Sequence, residues 1–143
     1  MNTQELAHRL FSEGCNAANY SIGSSGTLSE GYYLAFIQNR WQVCYTERGK
    51  DQSPIYTTFN EAEACEFYFQ HIMAMRQDHC VGFFQSKQKS DALVIMLSEI
   101  GVASFQDQIP YRGPSDPRYR VFVTGKAIFA ARSALGKLPI RDA

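Results

Sequence analysis

The residues best equipped for chemistry are three histidines, His8, His71 and His79, and four cysteines, Cys15, Cys44, Cys65 and Cys80. Imidazole and thiolate are common zinc ligands, and a thiolate beside an imidazole is a nucleophile. The spacing supports neither use. No two cysteines form a CxxC pair and no HExxH motif occurs. His71 and His79 lie eight positions apart, about 80° round an ideal helix, and His79–Cys80 falls beyond the end of the helix expected there. A zinc set of His71, His79 and Cys80 is therefore not favoured, nor is a Cys–His nucleophile. Four reduced, mostly buried thiols and no metal are expected. Phosphate chemistry has no better signature. There is no GxxxxGK[ST] and no GxSxG. The Gly/Ser-rich run SIGSSG (21–26) leads into a strand pattern rather than a helix N-terminus, so it reads as a flexible turn. Glu61, Glu63 and Glu66 open a helix, where capping and the helix dipole explain them. An acidic contact patch is the functional alternative. The segment PYRGPSDPRYRVFV (110–123) interleaves Arg112, Arg118 and Arg120 with Tyr111, Tyr119 and Phe122, a mixture that can stack on and neutralise single-stranded RNA. No RNP1-like motif accompanies it. The favoured reading is a Pro-rich loop entering a half-buried strand whose outward face carries Arg120.

The elements that must position these groups can be read from periodicity. Asn2 or Thr3 caps a first helix with Leu6, Leu10 and Phe11 on one face, and Gly14 ends it. Residues 16–21 form a short strand and 21–31 a loop. Residues 32–38 and 41–47 are strongly β, joined by the two-residue turn Asn39–Arg40, a hairpin signal. In 41–47, Trp41, Val43 and Tyr45 share one face. A third strand is expected at 55–58. Asn60 with Glu63 three positions on is a capping-box pattern opening a helix over 60–77, and Trp41, Val43 and Tyr45 should face it. Beyond it come a short strand at 81–85, a helix opened by Ser90 or Asp91 with Leu93, Val94, Leu97 and Ile100 on one face, and a strand at 102–106. Residues 109–118 hold three of five prolines and cannot be a regular central element. A strand at 119–124 and a short helix within 125–136 close the chain. The fold expected is α+β, a single domain over 1–143 with an antiparallel sheet of four to six strands and about four helices. Its two halves, 1–80 and 81–143, each read helix, strands, helix.

The chain has 143 residues, 45% of them apolar, with 14 Lys+Arg against 14 Asp+Glu. That length can bury a core without disulfides or metals. A net charge of zero argues against a generic nucleic-acid binder, and no direct nucleic-acid contact is expected. The sum hides an asymmetry. Residues 1–80 carry five basic and nine acidic side chains, a balance of −4, and residues 81–143 carry nine basic and five acidic ones, a balance of +4. The stretch MNTQELAHRLFSEG carries Glu5 and Glu13 and lacks an apolar core, so no secretory signal is expected. No window approaches the ~18 apolar residues of a membrane span. A cytoplasmic location away from membranes follows as the expectation.

The run W-x-V-x-Y-x-E-R-G (41–49), then a strand, then F-N-E-A-E-A-C (59–65) opening a helix, resembles small cytoplasmic immunity proteins of bacterial polymorphic-toxin and contact-dependent growth inhibition systems. The later YRVFVTGKAI (119–128), a strand turning into a helix, is similar to the C-terminal part of some of them. The resemblance spans residues 31–75 and 117–135 and rests on structural types rather than a chemical signature. It implies a bacterial protein that binds one cognate toxin C-terminal domain, commonly a nuclease, and neutralises it. It supplies no interface residues. The acidic excess of residues 1–80 singles out Glu47, Asp51, Glu61, Glu63 and Glu66 as the partner-binding set, because acidic side chains would steer a basic nuclease. No catalytic residue and no cofactor is expected. Two rival readings are a small ligand- or nucleotide-binding regulatory domain, suggested by the Arg/Tyr-rich loop, and an enzyme using His79 or Cys80.

Overall fold

The structure, a computed structural model, describes residues 1–142. Contacts divide the chain into two compact units, Met1–Gln77 and Asp78–Ala143. The fold is α+β, with four helices and two mixed sheets.

The first unit opens with α1 (Thr3–Ser12), whose N-cap Asn2 and Glu5 satisfy each other's backbone N–H groups in a full capping box. A 3-10 turn (Ala17–Asn19) leads into β1 (Tyr20–Ile22), followed by β2 (Glu30–Ile37), β3 (Arg40–Glu47), β4 (Lys50–Asp51), β5 (Tyr56–Thr58) and α2 (Glu61–Met73). The sheet runs β1-β2-β3-β4, and β5 also pairs with β3. The hairpin turn is Gln38–Asn39, one residue earlier than the pattern suggested. Both residues have positive φ, 54° and 64°, the mirror-image turn that matches strand twist. Tyr32, Leu34 and Phe36 stand opposite Tyr45, Val43 and Trp41. Val43 and Leu34 join Leu6, Leu10, Ala64, Cys65, Tyr68, Phe69 and Ile72 in the core, with Trp41 packed against it. Trp41 and Val43 thus share the α2 side of the sheet, as the alternation requires.

Two expectations fail here for local reasons. The sheet is not wholly antiparallel: β1 pairs parallel with β2, Tyr20 opposite Tyr32. A three-residue strand needs only the short loop after Gly23 (φ 104°) to bring the chain back alongside itself. Helix α2 stops at Met73 rather than continuing to 77, because the buried Gln77 side chain turns back and donates to the Ile72 carbonyl at 2.8 Å. Its Oε1 also accepts the Asn16 N–H at 2.8 Å.

The second unit contains β6 (Asp78–Phe84), α3 (Lys87–Glu99), β7 (Phe105–Pro110), β8 (Pro117–Thr124), α4 (Ala127–Leu135) and β9 (Ile140–Arg141), in the sheet order β7-β8-β6-β9. This is the split β-α-β plan, with β8 inserted between β6 and β7. Its last strand departs from a purely antiparallel sheet: β9 pairs parallel with β6, Phe83 opposite Arg141. Val81, Phe84, Val121 and Val123 from the strands meet Leu93 and Leu97 of α3 and Ile128 and Ala131 of α4. A Cβ on Gly82 would lie 2.7 Å from Leu93 Cδ2, so the bare backbone there lets α3 approach β6.

Helix α3 begins a turn earlier than the sequence suggested. Ser86, not Ser90 or Asp91, is its N-cap, and its hydroxyl accepts the Lys89 N–H at 3.2 Å. Ser90 is instead fully buried, and Ile100, expected on the apolar face, is 46% exposed at the C-cap. Strand β7 lies later than 102–106, while Val102 joins the core. The prolines obey backbone logic: Pro110 ends an edge strand and Pro117 is the first residue of β8. The sequence offered no signal for β9.

Candidate partner-binding surface

The five acidic residues singled out from the sequence fall at separate places in the first unit. Glu47 ends β3 opposite Lys50, with an exposed side chain. Asp51 in β4 accepts the phenol proton of buried Tyr33 at 2.8 Å. Burial, and then this bond, hold the Tyr33 phenol above its ordinary range. On α2, Glu61 accepts the backbone N–H of Thr3 at 3.1 Å and so ties the start of α1 to the start of α2. Glu66 lies 3.6 Å from Arg9 and accepts the Gln70 side-chain amide. Glu63 does not close the capping box: its own N–H donates to Asn60 Oδ1, but its carboxylate accepts the Thr58 hydroxyl at 2.9 Å. Four of the five carboxylates therefore hold this unit's own backbone or side chains. Only Glu47 has no bond to another group among the described residues. Helix openings and strand ends attract acidic residues for local reasons, and a charge count cannot separate that use from contact with a partner.

The exposed apolar groups gather elsewhere. Phe36 and Trp41 are cross-strand partners at the hairpin end of β2 and β3, ring centroids 5.1 Å apart. Phe36 is 55% exposed. Thr58 of β5 stands opposite Trp41, and the next residue, Phe59, is 77% exposed. The Arg40 guanidinium lies over the Phe59 ring at 5.8 Å, and Ile37 beside the turn is exposed as well. Through its bond to Thr58, Glu63 borders this cluster. The arrangement follows from the turn: the positive-φ pair Gln38–Asn39 projects Ile37 and Arg40, and β5 breaks at Phe59 to allow Asn60 to cap α2. The sequence analysis missed the cluster, because Phe36, Trp41 and Phe59 read individually as strand and helix-entry residues. The one legible signal was the aromatic on each side of the hairpin turn.

The remaining chemical candidates sit in structural surroundings. His71 packs edge-on against Tyr32 at 4.3 Å and stacks on Phe67. His79 lies within β6 opposite Val123. No group of three or more His, Cys, Asp or Glu is placed to hold a metal among the described residues. All four cysteines are free thiols; Cys15, Cys44 and Cys65 are buried and Cys80 half-buried. Burial pushes Cys65 up to about 11, with a smaller contribution from Glu61, so at neutral pH it is a thiol and not a thiolate nucleophile. Burial also raises Cys80, partly offset by a backbone hydrogen bond with Gly82 and by the positive charge of Arg120.

The fold and this surface define an α+β protein of two compact units, with an exposed aromatic–arginine cluster on the first. No family model, no curated protein and no solved structure matches the chain. No helix among the described residues is long and apolar enough to cross a membrane.

Proposed function

We propose that this chain is an immunity protein of a bacterial toxin system: a cytoplasmic antitoxin that binds one toxin domain, a nuclease by preference, and neutralises it by protein–protein contact rather than by catalysis. The observation that carries the reading is the pair of exposed aromatics at the hairpin end of the first unit, Phe36 against the half-buried Trp41 and Phe59 beneath Arg40. Aromatic residues and arginine are the types that concentrate binding energy at interface centres, while scattered exposed leucines or isoleucines would carry little such weight. Met1–Gln77 holds eight acidic and five basic side chains, a balance of −3, which favours encounter with a basic partner such as a nuclease domain. Glu63 at the edge of the cluster is the one acidic candidate placed to act with it. Glu47 and Asp51 would contribute through long-range steering.

The test is co-expression with the toxin domain encoded immediately upstream of this gene. The intact chain should restore growth. Replacing both Phe36 and Phe59 with alanine should abolish protection and weaken binding by roughly a hundredfold, as loss of two hot-spot aromatics does. Both rings are largely exposed, so the fold should survive, and an unchanged far-ultraviolet circular dichroism spectrum would verify that. Full protection by a folded double variant, or failure of the intact chain to protect, removes the proposal. Reversing the charge of Glu47 should lower the association rate at low salt and leave dissociation unchanged.

A further inference from the structure

The second unit holds a cleft that the toxin-binding reading does not use. Its wall begins with the β7–β8 hairpin, which closes at Pro110 opposite Pro117. The loop is tied by the Tyr111 N–H to the Asp116 carbonyl and the Asp116 N–H to the Gly113 carbonyl. These bonds present Tyr111 and Arg112 at its tip. Arg118, only 8% exposed, donates from one Nη to Asp116 at 2.6 Å and to the Pro117 carbonyl. It lies 4.3 Å from the Tyr111 ring centroid. Phe83 meets Tyr111 edge-on at 5.6 Å, and Arg141 of β9 covers Phe83 at 4.8 Å. The result is a cleft of about 170 Å³ lined by Phe83, Tyr111, Arg112, Arg118, Arg141 and Asp142, with Gln85 at its edge.

Its charges are unequally engaged. Asp142 spends its carboxylate on the N–H groups of Gln85 and Ser86 at the start of α3. Arg118 is matched by Asp116, and its Nε and second Nη have no acceptor among the described residues. Arg112 and Arg141 pair with no carboxylate among the described residues. Two unmatched guanidiniums and a third held rigidly by an aromatic ring suit an oxyanion, because the planar fork of arginine donates two parallel hydrogen bonds to phosphate oxygens. The size selects further. At about 170 Å³ the cleft falls below the ~300–1,000 Å³ of sites that enclose a whole small molecule. It has room for one anionic group with the rest of the ligand outside. The three arginines outnumber the carboxylates of Asp116 and Asp142, and that surplus of positive charge favours the dianion of a terminal phosphate over the single charge of a phosphodiester.

We propose that this cleft is a binding site for the phosphate group of a small phosphate monoester. The proposal is independent of the toxin-binding surface, which lies on the other unit. Its test is titration of the isotope-labelled full chain, followed by amide and arginine Nε–Hε resonances, with three probes: inorganic phosphate, phenyl phosphate, and a single-stranded oligonucleotide lacking terminal phosphates. Phosphate and phenyl phosphate should shift Tyr111, Arg112, Arg118 and Arg141, with phenyl phosphate the tighter because its ring extends the contact. Changing Arg112 and Arg141 together to glutamine should weaken both by at least roughly tenfold. Both side chains are exposed and make no hydrogen bond or ion pair among the described residues, so the variant should keep the wild-type spectrum elsewhere. Arg132→Gln on α4 should leave affinity unchanged. No shift at these residues up to about 10 mM phosphate or phenyl phosphate, or equal affinity in the double variant, overturns the site. Tighter binding of the oligonucleotide than of phenyl phosphate overturns the monoester assignment.

Discussion

The two units bury polar chemistry in opposite ways. In the first, the buried titratable groups are phenols and thiols. Tyr68 is completely buried under the sheet-facing side of α2; its hydroxyl accepts the Ser21 N–H at 3.0 Å and donates to the Tyr32 carbonyl at 2.7 Å. One phenol thereby ties α2 to both β1 and β2. In the second, the corresponding groups are ions. Arg120 of β8 reaches across to Asp107 of β7 with both Nε and Nη2, Arg118 is bonded to Asp116, and Lys87 to Asp91. A neutral hydroxyl can be buried fully for the cost of satisfying two or three bonds. An ion pair must remain near solvent or lose more in desolvation than it gains. Tyr68 is sealed in the core, while Arg120 and Asp107 keep about a third of their side-chain surface open; Arg118 is the exception, 10% open, with its partner Asp116 at 40%.

The sharpest way to break this contrast is to remove its neutral anchor. Tyr68→Ala should cost about 3–5 kcal/mol, the loss of a buried aromatic together with its hydrogen bonds. Tyr68→Phe should cost about 1–3 kcal/mol, from the orphaned Ser21 N–H and Tyr32 carbonyl alone. The chain has a single tryptophan, and Trp41 lies in the first unit, so its fluorescence in urea reads that unit directly. A smaller effect is expected from the ionic side. Asp107→Asn should cost no more than about 1 kcal/mol, because the pair is partly screened by water, with faster amide exchange confined to β7 and β8. A cost larger than that of Tyr68→Phe would reverse the comparison.

The weakest expected signature is the pH response: the first unit is sensitive at the alkaline end, and the second at the acid end, with Cys80 of β6 adding a smaller alkaline sensitivity. In the first, burial raises Cys15, Cys44 and Cys65 above 9.0 and Tyr20, Tyr33 and Tyr68 above 10.0. These groups bind protons more tightly when folded, so stability is lost as pH rises past those ordinary values. In the second, hydrogen bonds hold two carboxyls below 3.8: Asp142 chiefly through the Gln85 N–H, and Asp91 through Gln106 and then Lys87. Their contribution is complete at neutral pH and is lost as pH falls from 3.8 through the lowered values. Residue-resolved exchange at pH 4 and pH 10 should therefore show β6 and α3 loosening at the acid end and α2 at the alkaline end. Asp142→Asn should flatten the acid limb. Acid loss starting in the first unit would contradict the assignment.

Much of the fold was legible from local pattern. The hairpin, the cap at Asn60 and the alternation of Val121 and Val123 depend on residues close in sequence, and the structure places them as the pattern required. The larger errors occur where a side chain from beyond the element intervenes. Gln77 ends α2 by returning to Ile72, and Asp142 sits at the start of α3, beside the Ser86 cap that replaces the expected Ser90. For the surface, the sequence identified acidic residues by sign, yet Glu61 and Glu66 answer to α1, which no spacing rule connects to α2.

By itself the sequence determined the class of fold, the hairpin with its inward and outward faces, the caps of α1 and α2 and the polarity of charge between the halves. Those depend on backbone preferences and on period-two or period-3.6 alternation, which act over a few residues. Tertiary structure alone decided which exposed groups stand together. Arg40 reaches Phe59 only because β5 folds back onto β3, and Arg112 and Arg141 line one cleft only because β9 returns beside β6. Such juxtapositions follow from strand order, and strand order is set by which buried faces fit one another across the whole unit.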